Sequence, residues 1–357
     1  MKRTSVSEGR IVDAREGANV KKAVEILQGG GLVAFPTETV YGLGADALNA
    51  KAVCRLFEAK KRPSFDPLIV HVSDPEHAYP LWKSVSKTAK LLIGKFWPGP
   101  LTLVLPRTDI IPDVVTAGLP TVAVRMPDAK AALEVIRLLG RPVAAPSANL
   151  FGYTSPTTAQ AVSEDLGDAV DLILDDGPAR IGIESTVLKL EGDECVLLRP
   201  GGVPIEEIEK VIPVKLKQVK EPNGVESPGQ LQSHYAPWTP MTVMDKNFKE
   251  FAEELDHLYR TCQKSQVAWP RLGLLAFESK TDAPWFEVVE VLSPHGDLYQ
   301  AAANLFQAVR KLDKMNLDLI VAERIPEKGI GLAVMDRLKK ASGGKLGIKK
   351  FFAGVEL

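Results

Sequence analysis

Four basic side chains occupy positions where phosphate or carboxylate groups could bind. Lys60 and Arg62 come at the end of an amphipathic stretch that predicts a helix, directly before a proline. Arg125 lies in the otherwise apolar run 122–126, where a buried guanidinium needs an anionic partner or ligand. Arg199 directly precedes a Pro-Gly-Gly turn. Since ligand sites in open α/β sheets form at strand ends, the four cations together favour an anion pocket.

Each of these positions also has a simpler explanation. Lys60 and Arg62 would be favourable as solvated charges at the negative end of a helix dipole. Arg199 could be a surface residue of its turn. Ser147 and Asn149, which follow a strand broken by a proline, could simply close the turn there. For any one of these residues the sequence leaves both explanations open.

The stretch that follows the apolar run 32–35 is rich in groups that contact ligands. A proline interrupts the run, and two threonines and a glutamate follow it at 37–39. Gly42 and Gly44 come next. This composition predicts a tight turn that brings the backbone close to a ligand or to another strand.

The signatures of several other kinds of site are absent from the sequence. The chain has no G-x-x-x-x-G-K-[ST] phosphate loop and no G-x-S-x-G nucleophile elbow. Its five histidines show no H-E-x-x-H spacing, and its three cysteines form no Cys-x-x-Cys pair. We therefore expect neither a metal ion bound by protein ligands nor a disulfide framework.

The composition indicates a two-domain protein of a reducing compartment. A length of 357 residues exceeds one ordinary core, at about 150 residues per domain. The 44 basic and 45 acidic residues nearly cancel, so any contact with RNA should be indirect or weak. Because there is neither an apolar leader core nor an uninterrupted apolar run of about 18 residues, we expect no membrane span and a cytoplasmic location.

Hydrophobic periodicity predicts two α/β domains joined by a linker. Over 1–212, strands alternate with helices in some places and follow one another in others, which favours a mixed, twisted sheet over a doubly wound parallel one. The pattern stops over 213–240, a linker that contains several prolines and glycines. Over 241–357, regular alternation predicts a smaller, mostly parallel, Rossmann-like domain. No G-x-G-x-x-G turn follows the first strand of that domain, so we expect no nucleotide site there.

Seven motifs, in order along the chain, give it a specific resemblance to a known family. The motifs are Phe35-Pro-Thr-Glu-Thr-Val-Tyr-Gly-Leu, Lys60-x-Arg-Pro, Phe96-Trp-Pro-Gly-Pro-Leu-Thr, Val124-Arg-Met-Pro, Pro146-Ser-Ala-Asn149, Glu184-Ser-Thr186 and Leu198-Arg-Pro-Gly201. They resemble the threonylcarbamoyl-AMP synthase family, which carries a YrdC-type domain. The Ser-His-Tyr-Ala-Pro sequence at 233–237 is similar to the linker of the longer, two-domain subtype, so the resemblance covers essentially the full chain.

The resemblance implies a nucleotidyltransferase. Such an enzyme joins L-threonine, bicarbonate and ATP into L-threonylcarbamoyladenylate and releases pyrophosphate, with Mg²⁺ arriving on ATP. The product would pass to a downstream tRNA threonylcarbamoyl transferase, which modifies the adenosine beside the anticodon. The chain itself would contact tRNA indirectly or weakly.

The resemblance also implies roles for individual residues. The family's basic polar tetrad, which we expect to be catalytic, corresponds to Lys60, Arg62, Ser147 and Asn149. The threonine subsite would consist of Thr39, His71, Arg125, Ala145 and Ser185. ATP would be held by Arg62, Asp66, Thr121, Ser147, Ser155, Arg199 and Tyr235. At Asp66 the family most often has an asparagine, and a carboxylate there would repel a polyphosphate unless a metal ion or an arginine intervenes.

Two other functions have to be distinguished from this one. A non-catalytic RNA-binding module would also need a concave cationic surface, although the chain lacks basic runs interleaved with aromatic residues. A carbamoyltransferase that uses a carbamoyl-phosphate-like donor would need a similar pocket. On the leading hypothesis, the linker 213–240 closes over the pocket as a lid, with Tyr235 near the nucleotide.

Overall fold

The structure, a computed structural model, describes residues 10–192, 194–218, 225–231, 233–278, 281 and 283–352. These residues divide into two units. The first unit runs to Phe151 and resumes over 155–231, and the second consists of 152–154 and the described residues from 233 onward. The segment 152–154 therefore belongs to the second unit, although the chain on both sides of it belongs to the first. The domain boundaries at 212 and 240 stay predictions.

Strands and helices follow one another irregularly in the first unit. Its strands are β1 (Ile11–Asp13), β2 (Val33–Pro36), β3 (Tyr41–Asp46), β4 (Ile69–His71), β5 (Leu101–Pro106), β6 (Thr121–Arg125), β7 (Val143–Ala144), β8 (Leu172–Asp175), β9 (Thr186–Glu191), β10 (Glu194–Arg199) and β11 (Leu216–Gln218). Its α-helices are α1 (Gly17–Gln28), α2 (Ala50–Lys60), α3 (Pro75–Ala78), α4 (Lys87–Phe96), α5 (Asp113–Thr116), α6 (Lys130–Leu139), α7 (Ala159–Leu166) and α8 (Ile205–Glu209). Two short 3-10 helices span Tyr79–Leu81 and Gly167–Ala169.

These strands form one mixed sheet, which confirms the predicted fold class of the first domain. In the described part of the chain the strand order is β1-β8-β2-β3-β7-β4-β6-β5-β9-β10-β11. Five of these neighbouring pairs are parallel and five are antiparallel. Helices α1 and α6 pack together over β2 and β8 through a buried apolar cluster that includes Leu27, Phe35 and Ile136.

The glycines at 42 and 44 lie in a strand, so their predicted place in a tight turn is wrong. β3 pairs antiparallel with β2 from Val33 opposite Gly44 to Pro36 opposite Tyr41. Residues 37–40 form the hairpin turn between them. The expected close approach to another strand is present, because a Cβ on Gly44 would lie 2.5 Å from an edge carbon of the Phe35 ring.

The stretch after Pro213 contains a strand that the sequence pattern did not predict. β11 pairs in parallel with β10, with Leu216 opposite Cys195. Leu216 is buried, whereas lysines lie on both sides of it in the sequence. A three-residue strand with one inward side chain is too short to show a period of two, and pairing with β10 determines its conformation.

The second unit is a smaller and wholly parallel α/β unit within the described residues, as predicted. Its strands are β12 (Met241–Val243), β13 (Leu272–Ala276), β14 (Phe286–Val291) and β15 (Leu319–Ala322), in the order β12-β15-β13-β14. Its helices are α9 (Phe248–Lys264), α10 (Leu298–Asp313), α11 (Gly331–Ala341) and α12 (Lys349–Phe352). A buried cluster that includes Phe251, Leu274 and Val321 forms its core.

A pair of glycine-to-alanine substitutions tests the packing of the β2–β3 hairpin. Gly44→Ala places a methyl group against Phe35 and Val143, so overpacking should lower the free energy of unfolding by about 1–3 kcal/mol. Gly94→Ala in α4, where an added Cβ meets nothing within 4 Å, should raise it by about 0.5–1 kcal/mol. Urea unfolding of both variants measures these changes, and a stabilising Gly44→Ala would contradict the close approach.

Candidate active site

Lys60 is the last residue of α2 and is buried. The helix begins after Asn49, whose side chain caps the first turn, and ends where Lys61 adopts a φ of 52°. The Lys60 Nζ donates hydrogen bonds to the carbonyls of Ser147 and Asn149, both at 2.5 Å. Three members of the predicted tetrad are therefore in direct contact.

The environment of Lys60 disfavours its charged form in the absence of an anion. Burial lowers the pKa of Lys60 well below its usual range, and the charge of Arg62 lowers it further. Asp165 and Asp66 act in the opposite direction. An anionic ligand at this position would stabilise the protonated lysine.

Arg62 is buried beside Asp66. Its Nε donates to the Asp66 carbonyl at 3.1 Å, and its Nη2 donates to the Pro67 carbonyl at 2.9 Å. The same Nη2 forms an ion pair with Asp66 Oδ2 at 2.9 Å. The guanidinium carbon lies 5.8 Å from the centre of the Phe151 ring. The explanation of Lys60 and Arg62 as solvated helix-end charges is therefore wrong, and an arginine does intervene at Asp66.

Asp66 lies in the field of three buried cations. Burial raises the pKa of its carboxyl group, whereas the charges of Arg62, Lys60 and Arg199 lower it, and the net pKa is raised. All four side chains are at least nine-tenths buried. We call Lys60, Arg62, Asp66 and Arg199 the buried ion cluster.

Arg199 ends β10 and is fixed by backbone carbonyls. Its Nε and Nη2 donate to the Ser185 carbonyl at 3.2 and 3.0 Å, and its Nη1 donates to the Pro228 carbonyl at 3.1 Å. Gly201 permits this close packing, because a Cβ there would lie 2.3 Å from the Ser185 carbonyl carbon. Since Arg199 is only 3% exposed, its explanation as a surface turn residue is wrong.

Two serines of the predicted site are held by neighbouring side chains. Ser185 Oγ lies 2.8 Å from Thr102 Oγ1 and accepts a hydrogen bond from Arg199 Nη2 at 3.2 Å. Ser155 Oγ donates to Glu184 Oε1 at 2.5 Å. Because Glu184 and Ser185 are adjacent, one short segment joins a predicted threonine residue to a predicted ATP residue.

Arg125, at the end of β6, contacts polar groups of the β2–β3 turn. Its Nη2 forms an ion pair with Glu38 Oε1 at 2.6 Å, its Nη1 donates to Thr39 Oγ1 at 2.9 Å, and its Nε donates to the Gly99 carbonyl at 3.1 Å. The anionic partner that the sequence required is thus Glu38. Each terminal nitrogen carries two N–H groups, so these contacts leave donor capacity for a carboxylate ligand.

His71 ends β4 and lies level with Arg125 in the parallel pair β4–β6. Burial lowers the pKa of His71 to about 3, and the charge of Arg125 contributes to the shift. The Ala145 amide donates to the carbonyl of Ile69, the first residue of β4, at 3.0 Å. The structure thus brings Thr39, His71 and Arg125 together at the carboxyl ends of β4 and β6.

The predicted nucleotide residues of these two strands lie at their opposite ends. Thr121 begins β6, four residues before Arg125, and Asp66 precedes β4. A strand rises about 3.3 Å per residue, so the two ends of β6 are about 13 Å apart. Asp66 and Thr121 therefore lie at the opposite ends of these strands from His71 and Arg125, whereas Arg199 contacts Ser185 of the predicted threonine subsite.

Tyr235 belongs to the second unit and is almost fully buried there. Its ring packs against the Phe306 ring at 5.6 Å between centroids and against the His234 ring at 4.1 Å. The guanidinium carbon of Arg337 lies 5.1 Å from the ring centre. The contact of Tyr235 with ATP stays a prediction.

Sequence reasoning did not select three polar residues that hold these groups in place. They are Glu38, which pairs with Arg125, Thr102, which contacts Ser185, and Glu184, which accepts from Ser155. Each lies inside one of the seven motifs, and that position was the available signal.

The part of the chain that the structure describes holds no group of three or more His, Cys, Asp or Glu residues arranged to bind a metal ion. None of the helices described is both long enough and apolar enough to cross a bilayer.

The low pKa of His71 predicts a loss of stability in acid. The unfolded chain takes up a proton here near pH 6.5, whereas the folded protein does so only near pH 3, so between these values the unfolded state binds more protons. Between pH 6.5 and 4.5 this residue alone should lower the free energy of unfolding by about 2 kcal/mol. Urea titrations of the wild type and His71→Asn measure it. An equal pH dependence in both proteins would contradict the shift.

Comparisons with known proteins cover both units. A family model described as telomere recombination matches residues 25–201, and one described as the C-terminal domain of threonylcarbamoyl-AMP synthase matches residues 203–343. The threonylcarbamoyl-AMP synthase of Pyrococcus abyssi is 43% identical over 343 residues, which cover 94% of this chain and 98% of that protein. The Bacillus subtilis protein of the same name is 44% identical over 331 residues, covering 92% and 94%.

Solved structures show the same relationship. The crystal structure of P. abyssi Sua5 complexed with L-threonine is 43% identical and covers 93% of this chain and 96% of its own, with a TM-score of 0.85. The resemblance found in the seven motifs is therefore confirmed by whole-chain identity and by fold. The chain belongs to the threonylcarbamoyl-AMP synthase family.

Proposed function

We propose that this chain is an L-threonylcarbamoyladenylate synthase, which converts L-threonine, bicarbonate and ATP into threonylcarbamoyl-AMP and pyrophosphate. The names of relatives that share nearly the whole chain support the proposal. The observation that carries it is the buried ion cluster, in which three cations surround one carboxylate.

The buried ion cluster has an excess of basic groups. Asp66 pairs with Arg62, while Lys60 and Arg199 are held by backbone carbonyls. Several buried basic groups close together favour a ligand that carries several negative charges. Arginine binds phosphate through paired hydrogen bonds and lysine binds it as a point charge, which makes a polyphosphate the best match.

A second group of residues suits an amino acid. Arg125 has donor capacity for a carboxylate, and Thr39 places a hydroxyl beside it. Glu38 offsets the charge of Arg125 when no ligand is bound. A relative from P. abyssi has been crystallised with L-threonine, which supports threonine as the ligand here.

The reaction needs positioning and charge more than proton transfer by histidine. The oxygen of carbamoylated threonine forms a bond to the α-phosphorus of ATP, and the bond from that phosphorus to the bridging oxygen breaks, which releases pyrophosphate. Lys60, Arg62 and Arg199 stabilise the negative charge that develops, together with the Mg²⁺ carried by ATP. His71, whose pKa is about 3, stays neutral near pH 7 and serves in binding.

Part of the predicted lid supports a role for the linker at the nucleotide site. Pro228 accepts a hydrogen bond from Arg199, and Glu226 forms an ion pair with Lys189 at 2.6 Å. Both contacts lie within the first unit. We propose that the linker 213–240 closes over the pocket as a lid, with Tyr235 contacting the nucleotide. Residues 219–224 and 232 lie outside the described residues.

The proposed product determines the proposed partner. Threonylcarbamoyl-AMP carries an activated acyl group, so a transferase must pass that group to tRNA. We propose that this downstream transferase contacts the tRNA and that the present chain acts in the cytoplasm.

Pyrophosphate release from Mg-ATP by the purified chain tests the proposed function. Release should require both L-threonine and bicarbonate, because the carbamoylated amino acid is the nucleophile. No release under any combination, with RNA binding that falls steeply with salt, would support the RNA-binding module. Turnover with carbamoyl phosphate in place of bicarbonate and ATP would support a carbamoyltransferase.

Three variants make this assay specific. Arg125→Lys removes the planar donor pair and should raise the KM for threonine about tenfold or more. Lys60→Met should lower kcat by a factor that corresponds to about 2–4 kcal/mol. Arg271→Met, which removes an exposed ion pair with Glu287 and hydrogen bonds to the Met315 and Asn316 carbonyls of the second unit, is the control and should leave both constants unchanged.

A further inference from the structure

Residues 152–154 join two residues of the proposed site but belong to the second unit. Asn149 of the predicted tetrad lies three residues before this segment, and Ser155 of the predicted ATP site follows it directly. Since peptide geometry limits how far chain neighbours can move apart, whatever fixes 152–154 also restricts Asn149 and Ser155.

Two side chains of α10 hold the segment. Arg310 Nη2 donates to the Thr154 carbonyl at 2.5 Å, and its guanidinium carbon lies 4.8 Å from the centre of the Tyr153 ring. The Tyr153 hydroxyl donates to Asp313 Oδ2 at 2.7 Å. Arg310 and Asp313 are three residues apart, so they share one side of the helix. Arg310 is only 6% exposed, which strengthens its charged hydrogen bond.

The stretch that leads into β12 completes the contacts. The other oxygen of Asp313 accepts a hydrogen bond from the Thr239 amide at 2.7 Å. The Ala236 amide donates to the Gly152 carbonyl at 2.8 Å. The Trp238 ring stacks on the Tyr153 ring, with 5.4 Å between centroids and 25° between planes. Each of the three residues is thus held by a different group of the second unit.

We infer that Arg310 and Asp313 are positioning residues for ATP. By fixing 152–154, α10 sets the place of Asn149 at one end of the loop and of Ser155 at the other. Ser155 must also reach Glu184, to which it donates at 2.5 Å, so the loop is constrained from both sides. The inference rests on the proposed function, because the resemblance behind that function assigns Asn149 to the catalytic tetrad and Ser155 to the ATP site.

This arrangement gives the second unit a part in nucleotide binding through backbone position. A misplacement of about 1 Å at a reacting group can lower a rate about a hundredfold, so a loop that carries two site residues has to be fixed accurately. The proposed threonine residues Thr39 and Arg125 are held by a hydrogen bond to each other and by the ion pair of Arg125 with Glu38, and neither contact includes residues 152–154. A loosened segment should therefore weaken ATP and leave threonine unaffected.

Substitutions on both sides of the contact test the inference. Tyr153→Phe keeps the ring stack and removes only the hydroxyl, and the KM for ATP should rise about fivefold, which equals about 1 kcal/mol. Arg310→Met removes the buried donor and should raise it about tenfold or more. The KM for threonine should stay within about twofold of wild type. Lys311→Met is the matched control, since Lys311 lies on the same helix and pairs with Glu290 near the surface.

Hydrogen exchange of the full chain separates positioning from general stability. Amides of 147–156 should exchange faster in Arg310→Met, whereas those of β6 and β4 should be unchanged. An unchanged KM for ATP together with unchanged exchange over 147–156 would overturn the inference. Equal rises in the KM values for ATP and threonine would also overturn it, because they would indicate a merely structural role.

The same experiments distinguish this inference from the proposed function. If the wild type releases no pyrophosphate, the proposed function fails, and hydrogen exchange over 147–156 still decides whether α10 fixes the loop. If pyrophosphate release is normal and Arg310→Met matches the control in exchange and in KM for ATP, only the positioning role fails.

Discussion

The burial of the Lys60 side chain at the end of α2 is the interaction on which the rest of the site depends. Its ammonium group connects the helix end to the carbonyls of Ser147 and Asn149, and its own carbonyl accepts a hydrogen bond from the Phe151 amide. Arg62 follows within two residues and packs on Phe151. A helix terminus and the segment after β7 are therefore joined through buried polar contacts, which are specific because each donor left unpaired would be costly.

The site separates its charges into two groups. At the carboxyl ends of β4 and β6 a single arginine is offset by Glu38, which suits a ligand with one carboxylate. The buried ion cluster has more basic groups than acidic ones, which suits a polyphosphate. Arg199 reaches that cluster only because Gly201 lets the backbone pack against Ser185. The sheet and its turns thus convert a chain with almost no net charge into a strongly cationic local site.

The sequence predicted much of this arrangement, and its failures have physical causes. Periodicity gave the helices and the mixed sheet, and an arginine in an apolar strand indicated a buried anionic partner. That partner is Glu38, which lies in the turn of the β2–β3 hairpin. The sequence pattern did not predict β3 because strands are recognised from branched and aromatic side chains, and β3 contains two glycines. The assignment of 152–154 to the second unit had no signal, since three residues carry no periodicity and their partners lie on a helix far along the chain.

Asp66 offers the most direct test of the proposed nucleotide site. Its carboxylate either repels the polyphosphate or helps to bind it, and the two cases predict opposite effects of removing its charge. Asp66 forms an ion pair with Arg62, so its carboxylate reduces the positive charge that the buried ion cluster offers to a polyphosphate. Calorimetric titration of Mg-ATP into the wild type and into Asp66→Asn, at equal ionic strength, measures the effect. We expect Asp66→Asn to bind ATP about threefold to tenfold more tightly, a gain of about 1 kcal/mol. Weaker binding by Asp66→Asn would contradict it and would mean that the carboxylate itself serves the nucleotide.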